Sequence, residues 1–219
     1  MKRKLTSLIL GLAICLCMCG CDVEDVPDML LSPLTMAASF TAGSIEIRTV
    51  DNDIMDKCFE KIKAGPATLT LPMNVSDLPE DIVLNPERYE EESVNSYNGM
   101  NTVVTEMHLG ESTSSIGYAI ILCTDAKNCS DGVIMGLIFF MSDVNAVLGD
   151  VSLNMSYDEI GKAFDCDGTA DGGCVYVARD GRSVYFFNFE DSFNESGVKY
   201  PDYVCIATDA ELYAIYTNL

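Results

Sequence analysis

Two stretches of the 219-residue chain align with each other without gaps. Residues 70–78 read TLPMNVSDL and residues 152–160 read SLNMSYDEI, which is an offset of 82 positions. A second pair of stretches, at 117–126 and 201–210, shares Thr-Asp-Ala at an offset of 84. Because the order and spacing of the two pairs agree, we predict a duplicated unit of roughly 80 residues. Chance similarity between two β-rich stretches is the alternative.

Each copy of the first stretch has the pattern of a helix start. Asn74 or Ser156 can act as the N-cap, and Asp77 or Glu159 follows three residues later, as in a capping box. Such a cap stabilises a helix by about 1 kcal/mol. Pro79 falls early in the first of these helices and is expected to limit it to a turn or two.

The second copy continues with β-rich runs, CVYVARDG, RSVYFFNFED, DYVCIATD and ELYAIYTNL. The Asp-Gly between the first two runs is typical of a tight hairpin. Alternation at Val175 and Val177, and again at Tyr185, Phe187 and Phe189, predicts a sheet with one face on a core and the other in water. The final run of each copy, at 132–141 and 211–219, is predicted to form a hairpin with the strand before it.

A separate helix is predicted ahead of the first copy, over residues 51–63. Its apolar positions recur at helical spacing, with Asp51 or Asp53 as the cap and Gly65-Pro66 as the stop. These positions are Ile54, Met55, Cys58, Phe59 and Ile62.

Together these patterns predict an α+β fold of two tandem units, each a short helix packed on an antiparallel sheet of three to four strands. The first unit, with the preceding helix, spans 44–148 and the second spans 149–219. Residues 22–43 mix acids, prolines and small residues without periodicity, which is typical of a tether.

The first 21 residues have the order of an export signal. Lys2, Arg3 and Lys4 precede an apolar run at 8–18, and Gly20-Cys21 follows. The run is shorter than the ~20 residues that cross a bilayer. Gly20-Cys21 resembles the end of a bacterial lipobox, which implies cleavage before Cys21 and diacylation of its thiol. Two acyl chains hold a protein lastingly on a membrane, so we expect a lipid-anchored, extracytoplasmic protein. Ordinary secretion with a free thiol is the alternative.

The formal charge of the chain is −21, and removing the three basic leader residues takes it to −24. Nucleic-acid binding is dominated by cationic contacts to phosphate, so this charge argues against a nucleic-acid partner. A solvated acidic surface is one interpretation. Binding of cations or of a basic partner surface is the other.

Six cysteines follow Cys21, an even number that permits three disulfides in an exported chain. Cys123 with Cys129, and Cys166 with Cys174, are close enough in sequence to close local loops. Cys58 and Cys205 would then pair by elimination. The competing interpretation is that Cys123 and Cys205, which lie in apolar runs, are small buried hydrophobic residues.

An acidic stretch, DCDGTADGGC, follows the second helix at 165–174 and has three interpretations. It can be a loop closed by a disulfide between Cys166 and Cys174, an open acidic turn, or a weak calcium site. Asp165, Asp167 and Asp171 occupy EF-hand ligand positions, but the required glycine and the bidentate glutamate are both replaced. Three carboxylates do not fill the coordination sphere of calcium, so a disulfide-closed loop is preferred and no cofactor is expected.

The sequence offers little for catalysis. Its single histidine, His108, lies among alternating apolar residues of a predicted strand and is interpreted as a sheet-surface side chain. No nucleophile elbow, phosphate loop or zinc spacing is found. We therefore expect no enzymatic activity, with a hydrolase based on an acidic pair as the remote alternative.

The order of SLNM, the YDEIGKAF helix, an acidic loop, CVYV, a hairpin and ELYAIY resembles the repeat unit of uncharacterised lipoproteins from anaerobic Gram-positive bacteria. More distantly it is similar to the tandem units of the β-lactamase inhibitor protein and of the small outer-membrane assembly lipoproteins. The resemblance implies a sheet face that binds proteins and no catalysis. We expect a membrane-anchored module that binds a protein or another envelope component, with a small-molecule or cation-sensing envelope protein as the alternative.

Overall fold

The computed structural model describes residues 46–85, 95–110, 115–140, 146–166, 173–187, 200–209 and 212. Two α-helices and fourteen strands lie within these ranges. The helices are α1 (Asn52–Glu60) and α2 (Tyr157–Ala163). The strands are β1 (Glu46–Val50), β2 (Ile62–Ala64), β3 (Ala67–Leu69), β4 (Met73–Asn74), β5 (Ile82–Asn85), β6 (Asn95–Tyr97), β7 (Met100–Leu109), β8 (Ser115–Cys123), β9 (Val133–Phe140), β10 (Val147–Leu148), β11 (Val151–Ser152), β12 (Gly173–Ala178), β13 (Ser183–Phe187) and β14 (Tyr203–Ala207).

Ten of the strands form one mixed sheet in the order β1-β12-β13-β14-β9-β8-β7-β5. Strand β4 also pairs with β9, and β6 also pairs with β7. Only β1 is parallel to its neighbour, β12, among the pairs that the described residues form. A second sheet has four short strands in the order β11-β10-β2-β3. The protein is therefore mostly β, with one long sheet as its frame.

The prediction of two helix-on-sheet units is wrong. The described part of the chain contains only two helices, of nine and seven residues, and strands from both predicted units share the ten-stranded sheet. The aligned stretches at 117–126 and 201–210 contribute β8 and β14, which lie on either side of β9. Each stretch was expected to pair only with strands of its own copy, but β14 pairs with β9 of the first copy. Hydrogen bonds between strands join backbone groups and therefore depend little on which side chains the strands carry.

One face of the main sheet packs against both helices and the small sheet. The buried core on this face takes side chains from each layer: Met55, Cys58 and Phe59 of α1, Ile62, Leu69, Leu148 and Val151 of the small sheet, Tyr157 and Ile160 of α2, and Val103, Met107, Ile121, Leu137, Phe139, Tyr176, Phe186, Val204 and Ile206 of the main sheet. We call this face the helix-side face.

The opposite face of the main sheet is buried as well. Its central row of paired residues runs across Ile138, Cys205, Tyr185 and Val175, all at most 2 % exposed. The alternation of residues in β12 and β13 was predicted to leave one face in water, and that prediction is wrong. Both faces carry apolar side chains, as in a sheet covered on both sides.

Helix α1 confirms the predicted amphipathic helix, but it ends earlier than predicted, at Glu60. Met55, Cys58 and Phe59 are buried as its apolar spacing requires. Ile62 belongs instead to β2, where it pairs with Leu69 and Leu148. Gly65-Pro66, expected as the helix stop, forms the turn of the β2–β3 hairpin. Asp51 takes the N-cap position without a side-chain hydrogen bond.

Helix α2 confirms the second predicted helix start. The hydroxyl of Ser156 accepts from the backbone N–H of Glu159, and the carboxylate of Glu159 accepts from the backbone N–H of Ser156. The apolar face of the helix is buried. Phe164 at its end stacks on Tyr176 of β12, with ring centroids 4.0 Å apart, so the helix is fastened to the main sheet.

The first aligned stretch folds differently from the second. Met73 and Asn74 pair with β9, and only a three-residue 3-10 turn follows, at Val75–Asp77. Asn74 occupies the N-cap position of this turn, as predicted, but its side chain makes no capping hydrogen bond to the backbone. Its amide donates instead to the carboxylate of Asp77 at 2.7 Å.

The two internal hairpins were predicted correctly. Strands β8 and β9 pair antiparallel, as do β12 and β13 around the turn that contains Gly181. The predicted final strand at 211–219 lies outside the described residues, apart from Leu212. Leu212 is buried against Leu122 and Ala207.

Candidate functional site

An apolar cleft opens at one end of the helix-side face, between β5, β7, the 3-10 turn and the loop at 124–131. Its volume is about 350 Å³. We call it the loop cleft, and its lining residues are Val75, Leu84, Val103, Thr105, Ala126, Lys127, Asn128, Cys129 and Ser130. A cleft of this size accepts a small ligand or one or two side chains of a partner protein.

The polar residues of the loop are used to hold its shape. Asp125 accepts the backbone N–H of Lys127 at 2.9 Å, and Asn128 accepts that of Ser130 at 3.2 Å. The hydroxyl of Thr124 donates to Asp131 at 3.1 Å. These short-range bonds are typical of Asx-type turns, which give a loop a defined conformation.

Two further hydrogen bonds fasten the loop to the rest of the cleft. The side-chain amide of Asn101 donates to the carbonyl of Thr124 at 2.9 Å. The backbone N–H of Val75, in the 3-10 turn, donates to the carbonyl of Gly132 at 2.9 Å. The cleft is therefore a preformed feature of the fold, because both of its sides are tied together by hydrogen bonds.

Two thiols lie behind the loop. The Sγ atoms of Cys123 and Cys129 are 3.8 Å apart. Cys123 is buried at the end of β8, whereas Cys129 is half-buried and lines the cleft. Burial raises the pKa of the Cys129 thiol to about 12, and contact with Cys123 and the nearby carboxylates of Asp125 and Asp131 adds to the effect. Burial also raises the pKa of Cys123. Both groups are protonated thiols at neutral pH, which makes them weak nucleophiles.

A second hollow, polar and open, lies at the first aligned stretch. Its volume is about 340 Å³, and it is lined by Thr68, Thr70, Pro72, Met73, Asn74, Asp77 and Val133. The side-chain amide of Asn74 and the carboxylate of Asp77, which both line it, already bond to each other. It offers less apolar contact to a ligand than the loop cleft does.

His108 is buried, so its interpretation as a sheet-surface side chain is wrong. Its Nε2 lies 3.5 Å from a carboxylate oxygen of Glu106, which is buried too. Both side chains project from β7 on the face opposite the loop cleft. Thr105, just before Glu106, lines the cleft, and Met107, between Glu106 and His108, packs in the core of the helix-side face. The single imidazole of the chain is thus separated from the cleft by the sheet itself.

Cys58, Cys123, Cys129 and Cys205 are free thiols. Cys58 packs on the helix-side face and Cys205 on the opposite face, so the pairing of these two by elimination is wrong. Cys166 and Cys174 both lie near Tyr176, whose pKa is raised first by burial and then by these thiols. The proposed disulfides of Cys166 with Cys174 and of Cys123 with Cys129 stay predictions.

The acidic stretch after α2 lies largely outside the described residues. Asp165 is exposed at the end of the helix, with its φ at 53°, while Asp167 and Asp171 are not described. Among the side chains that the structure describes, no group of three His, Cys, Asp or Glu gathers to hold a metal ion. The weak calcium site stays a prediction.

Sequence reasoning missed the walls of the loop cleft. Leu84 and Thr105 lie on adjacent strands, and Val75 lies in a turn that was predicted to be a helix start. The one available indication was the run TDAKNCSDG at 124–132, which is rich in the Asp and Asn of self-bonded turns. Nothing in that run indicates which strands lie opposite it.

Comparisons of the chain with protein-family models, with curated proteins and with solved structures find no match. The resemblance to tandem-repeat lipoproteins therefore stays a prediction. In the described ranges, no helix is long and apolar enough to cross a membrane. Cys21 and the predicted export signal precede the described residues.

Proposed function

We propose that this protein is a non-catalytic binding module, anchored by lipid on Cys21 to the extracytoplasmic face of a membrane, that holds an apolar group of an envelope protein in the loop cleft. The observation that carries the proposal is the cleft, which combines apolar walls from β5, β7 and the 3-10 turn with a loop held by its own hydrogen bonds. Preformed apolar sites with a few polar groups at the rim are typical of binding sites.

The polar residues of the rim support a partner that also presents hydrogen-bonding groups. Lys127, Asn128 and Ser130 border the apolar floor. Lys127 is exposed and is one of only 13 basic residues in a chain with 34 acidic ones. A partner with an apolar side chain flanked by polar backbone groups would contact the apolar residues of the cleft and hydrogen-bond to the polar residues at its rim.

The chemistry near the cleft supports binding rather than catalysis. Cys129 is the reactive side chain on its wall, and its raised pKa keeps the thiol protonated at neutral pH. His108 lies on the other face of the sheet, so it cannot serve as a base for Cys129. The proposal therefore needs no chemical step.

A small apolar molecule is the second candidate occupant. The volume of the cleft, about 350 Å³, falls near the lower end of the range for small-molecule pockets. This candidate belongs to the alternative of a small-molecule sensor in the envelope. A calcium sensor would require the acidic stretch at 165–174 instead.

Adjacent residues of β5 provide a matched test of the cleft. Leu84 lines the cleft, whereas Val83 projects from the opposite face and is 45 % exposed. Intact cells carrying tagged wild-type protein, Leu84→Gln or Val83→Gln are cross-linked, and the captured proteins are quantified by mass spectrometry. We expect one dominant envelope protein with wild type and with Val83→Gln, and at least a tenfold loss with Leu84→Gln, since a polar amide replaces the apolar wall.

Three outcomes would count against the proposal. Equal capture by both variants would remove the cleft as the site. Capture of bulk envelope material alone would remove the specific protein partner and direct attention to small molecules. Retention of the protein by the membrane after Cys21→Ser, measured by cell fractionation and by loss of fatty-acid labelling, would remove the lipid anchor.

A further inference from the structure

The pair of thiols behind the loop cleft has a geometry that the proposed binding role does not use. Cys123 and Cys129 are in contact at 3.8 Å, and only Cys129 reaches the cleft. We propose that these two residues are a thiol–disulfide site whose oxidation state sets how tightly the loop cleft holds its ligand. The proposal that a disulfide forms depends only on the geometry of the two thiols. The proposal that it changes ligand binding also depends on the proposed function of the cleft.

The different burial of the two thiols defines the order of the reaction. The half-buried Cys129 meets an external disulfide first, and the raised pKa of its thiol makes this step slow, because only the small thiolate fraction attacks. The thiolate sulfur bonds to one sulfur of R–S–S–R, the S–S bond of the reagent breaks, and the leaving thiolate takes up a proton as R–SH. Cys123, buried behind it, then attacks the sulfur of Cys129 and releases the second R–SH. The protein loses two thiol protons and two electrons, and the external disulfide gains them.

Closing the bond changes the wall of the cleft. An S–S bond is about 2.05 Å long, so the sulfurs must approach each other by nearly 2 Å from their separation of 3.8 Å. Cys123 is embedded in the core, whereas Cys129 lies in the loop, so the approach is made mainly by Cys129. The bond also removes the S–H of Cys129, which donates to the carbonyl of Ala126, another lining residue, at 3.6 Å.

The coupling is reciprocal by thermodynamic necessity. If oxidation changes ligand affinity by a given factor, the ligand changes the equilibrium constant of disulfide formation by the same factor. A bound partner would thus favour one redox state of the pair. The oxidant is of the class that extracytoplasmic compartments supply, a disulfide-bearing oxidoreductase or a small disulfide.

The first experiment uses oxidised glutathione on the mature chain with Cys21→Ser, at mildly alkaline pH, followed by peptide mass mapping. We expect the wild-type peptides that contain Cys123 and Cys129 to lose both thiols and to carry no glutathione. Cys123→Ala should hold one glutathione on Cys129, and Cys129→Ala should hold none on Cys123, because the buried thiol is not reached. Cys166→Ala, a half-buried thiol elsewhere, should leave the behaviour of the pair unchanged.

Two results would overturn the proposed disulfide. One is that both thiols of the wild-type protein remain reduced. The other is that wild type accumulates glutathione on Cys129, as is expected for Cys123→Ala. The test holds even if one alanine variant does not fold, because the number of Cys123 and Cys129 thiols lost by the wild-type protein is enough to decide it. Glutathione on Cys123 in the Cys129→Ala variant would overturn the proposed order of the two thiols.

The second experiment measures the affinity of the neutral apolar fluorophore N-phenyl-1-naphthylamine for the oxidised and the reduced protein. We expect the two Kd values to differ by at least about fivefold, within the usual range of coupling between sites. The double variant Cys123→Ala with Cys129→Ala should show one Kd under both conditions. Equal Kd values for both forms of wild type overturn the coupling and leave the binding function standing. No binding by either form counts against the cleft as a binding site and overturns the coupling with it.

Discussion

At the scale of single residues, the closest backbone approach among the described glycines lies between β8 and β9. Gly117 has a φ of +144°, and a Cβ there would fall on the carbonyl oxygen of Ile138. The ring of Phe139 would lie 3.2 Å away. Only glycine fits this conformation and this approach, because both the backbone angle and the space exclude a side chain.

We therefore expect Gly117→Ala to lower the free energy of unfolding by about 3 kcal/mol or to prevent folding. Gly110→Ala is the control, since Gly110 has a φ of +55° but no atom within 4 Å of the added Cβ. Its cost should be about 1 kcal/mol, from the backbone angle alone. Urea unfolding followed by circular dichroism measures both, and equal losses would contradict the predicted clash.

The capping box of α2 gives a prediction on pH. The backbone N–H and hydroxyl of Ser156 bond to the Glu159 carboxylate and lower its pKa from the ordinary 4.5. A carboxyl with a lowered folded pKa binds fewer protons in the folded state, so its contribution to stability is present above pH 4.5 and is lost as the pH falls through the folded value.

The measurement is urea unfolding over a pH series with wild type and Glu159→Gln. The stability difference between the two should shrink as the pH falls below about 4.5. Asp158→Asn, one residue earlier on the exposed side of the helix, removes the same charge without the capping bonds and serves as the control. The capping explanation fails if both variants show the same pH dependence. Ser156→Ala should cost about 1 kcal/mol near neutral pH.

At the scale of elements, one arginine joins the β12–β13 turn to α1. The guanidinium of Arg182 contacts the carboxylates of Asp56 at 2.6 Å and Asp180 at 2.8 Å. It also lies over the ring of Phe59, with its centre 5.3 Å from the ring centroid. The planar fork thus makes polar and aromatic contacts together, which a lysine cannot reproduce.

Arg182→Lys should lower the free energy of unfolding by about 1 kcal/mol, a modest value because both carboxylates are substantially exposed and screened by solvent. Arg179→Lys, an exposed arginine of the same turn, should change stability by less than about 0.5 kcal/mol. Thermal unfolding of the two variants at equal ionic strength provides the comparison. A smaller loss for Arg182→Lys than for Arg179→Lys would show that the turn and α1 are not energetically joined.

At the scale of the whole molecule, both sheets are built from residues of both halves of the chain. If the chain is divided between residues 145 and 146, β9 of the first half pairs with β14 of the second, and β2 of the first half pairs with β10 of the second. The helix-side core likewise takes side chains from α1 and α2. Neither half can complete its strand pairing or its core alone.

Pieces covering residues 44–145 and 146–219 should therefore lack a cooperative unfolding transition when each is purified alone. Mixing them should restore one transition, and the intact chain should unfold in a single step. The chain contains no tryptophan and ten tyrosines, so tyrosine fluorescence and circular dichroism are the probes. Independent cooperative unfolding of either piece would show that the halves are separate domains.

The sequence by itself determined the local features of this protein. The capping box at Ser156, the apolar face of α1 and the hairpins β8–β9 and β12–β13 were all predicted, because neighbours in sequence set caps, helical periodicity and short turns. Tertiary structure decided which strands lie side by side, that both faces of the main sheet are buried, and that Cys58 and Cys205 lie on opposite faces. Tertiary structure also determined that the loop cleft exists, because its walls come from segments far apart in the chain. The physical reason is that hydrogen bonds between strands join backbone groups common to every residue, so partner strands are chosen by the packing of the whole molecule.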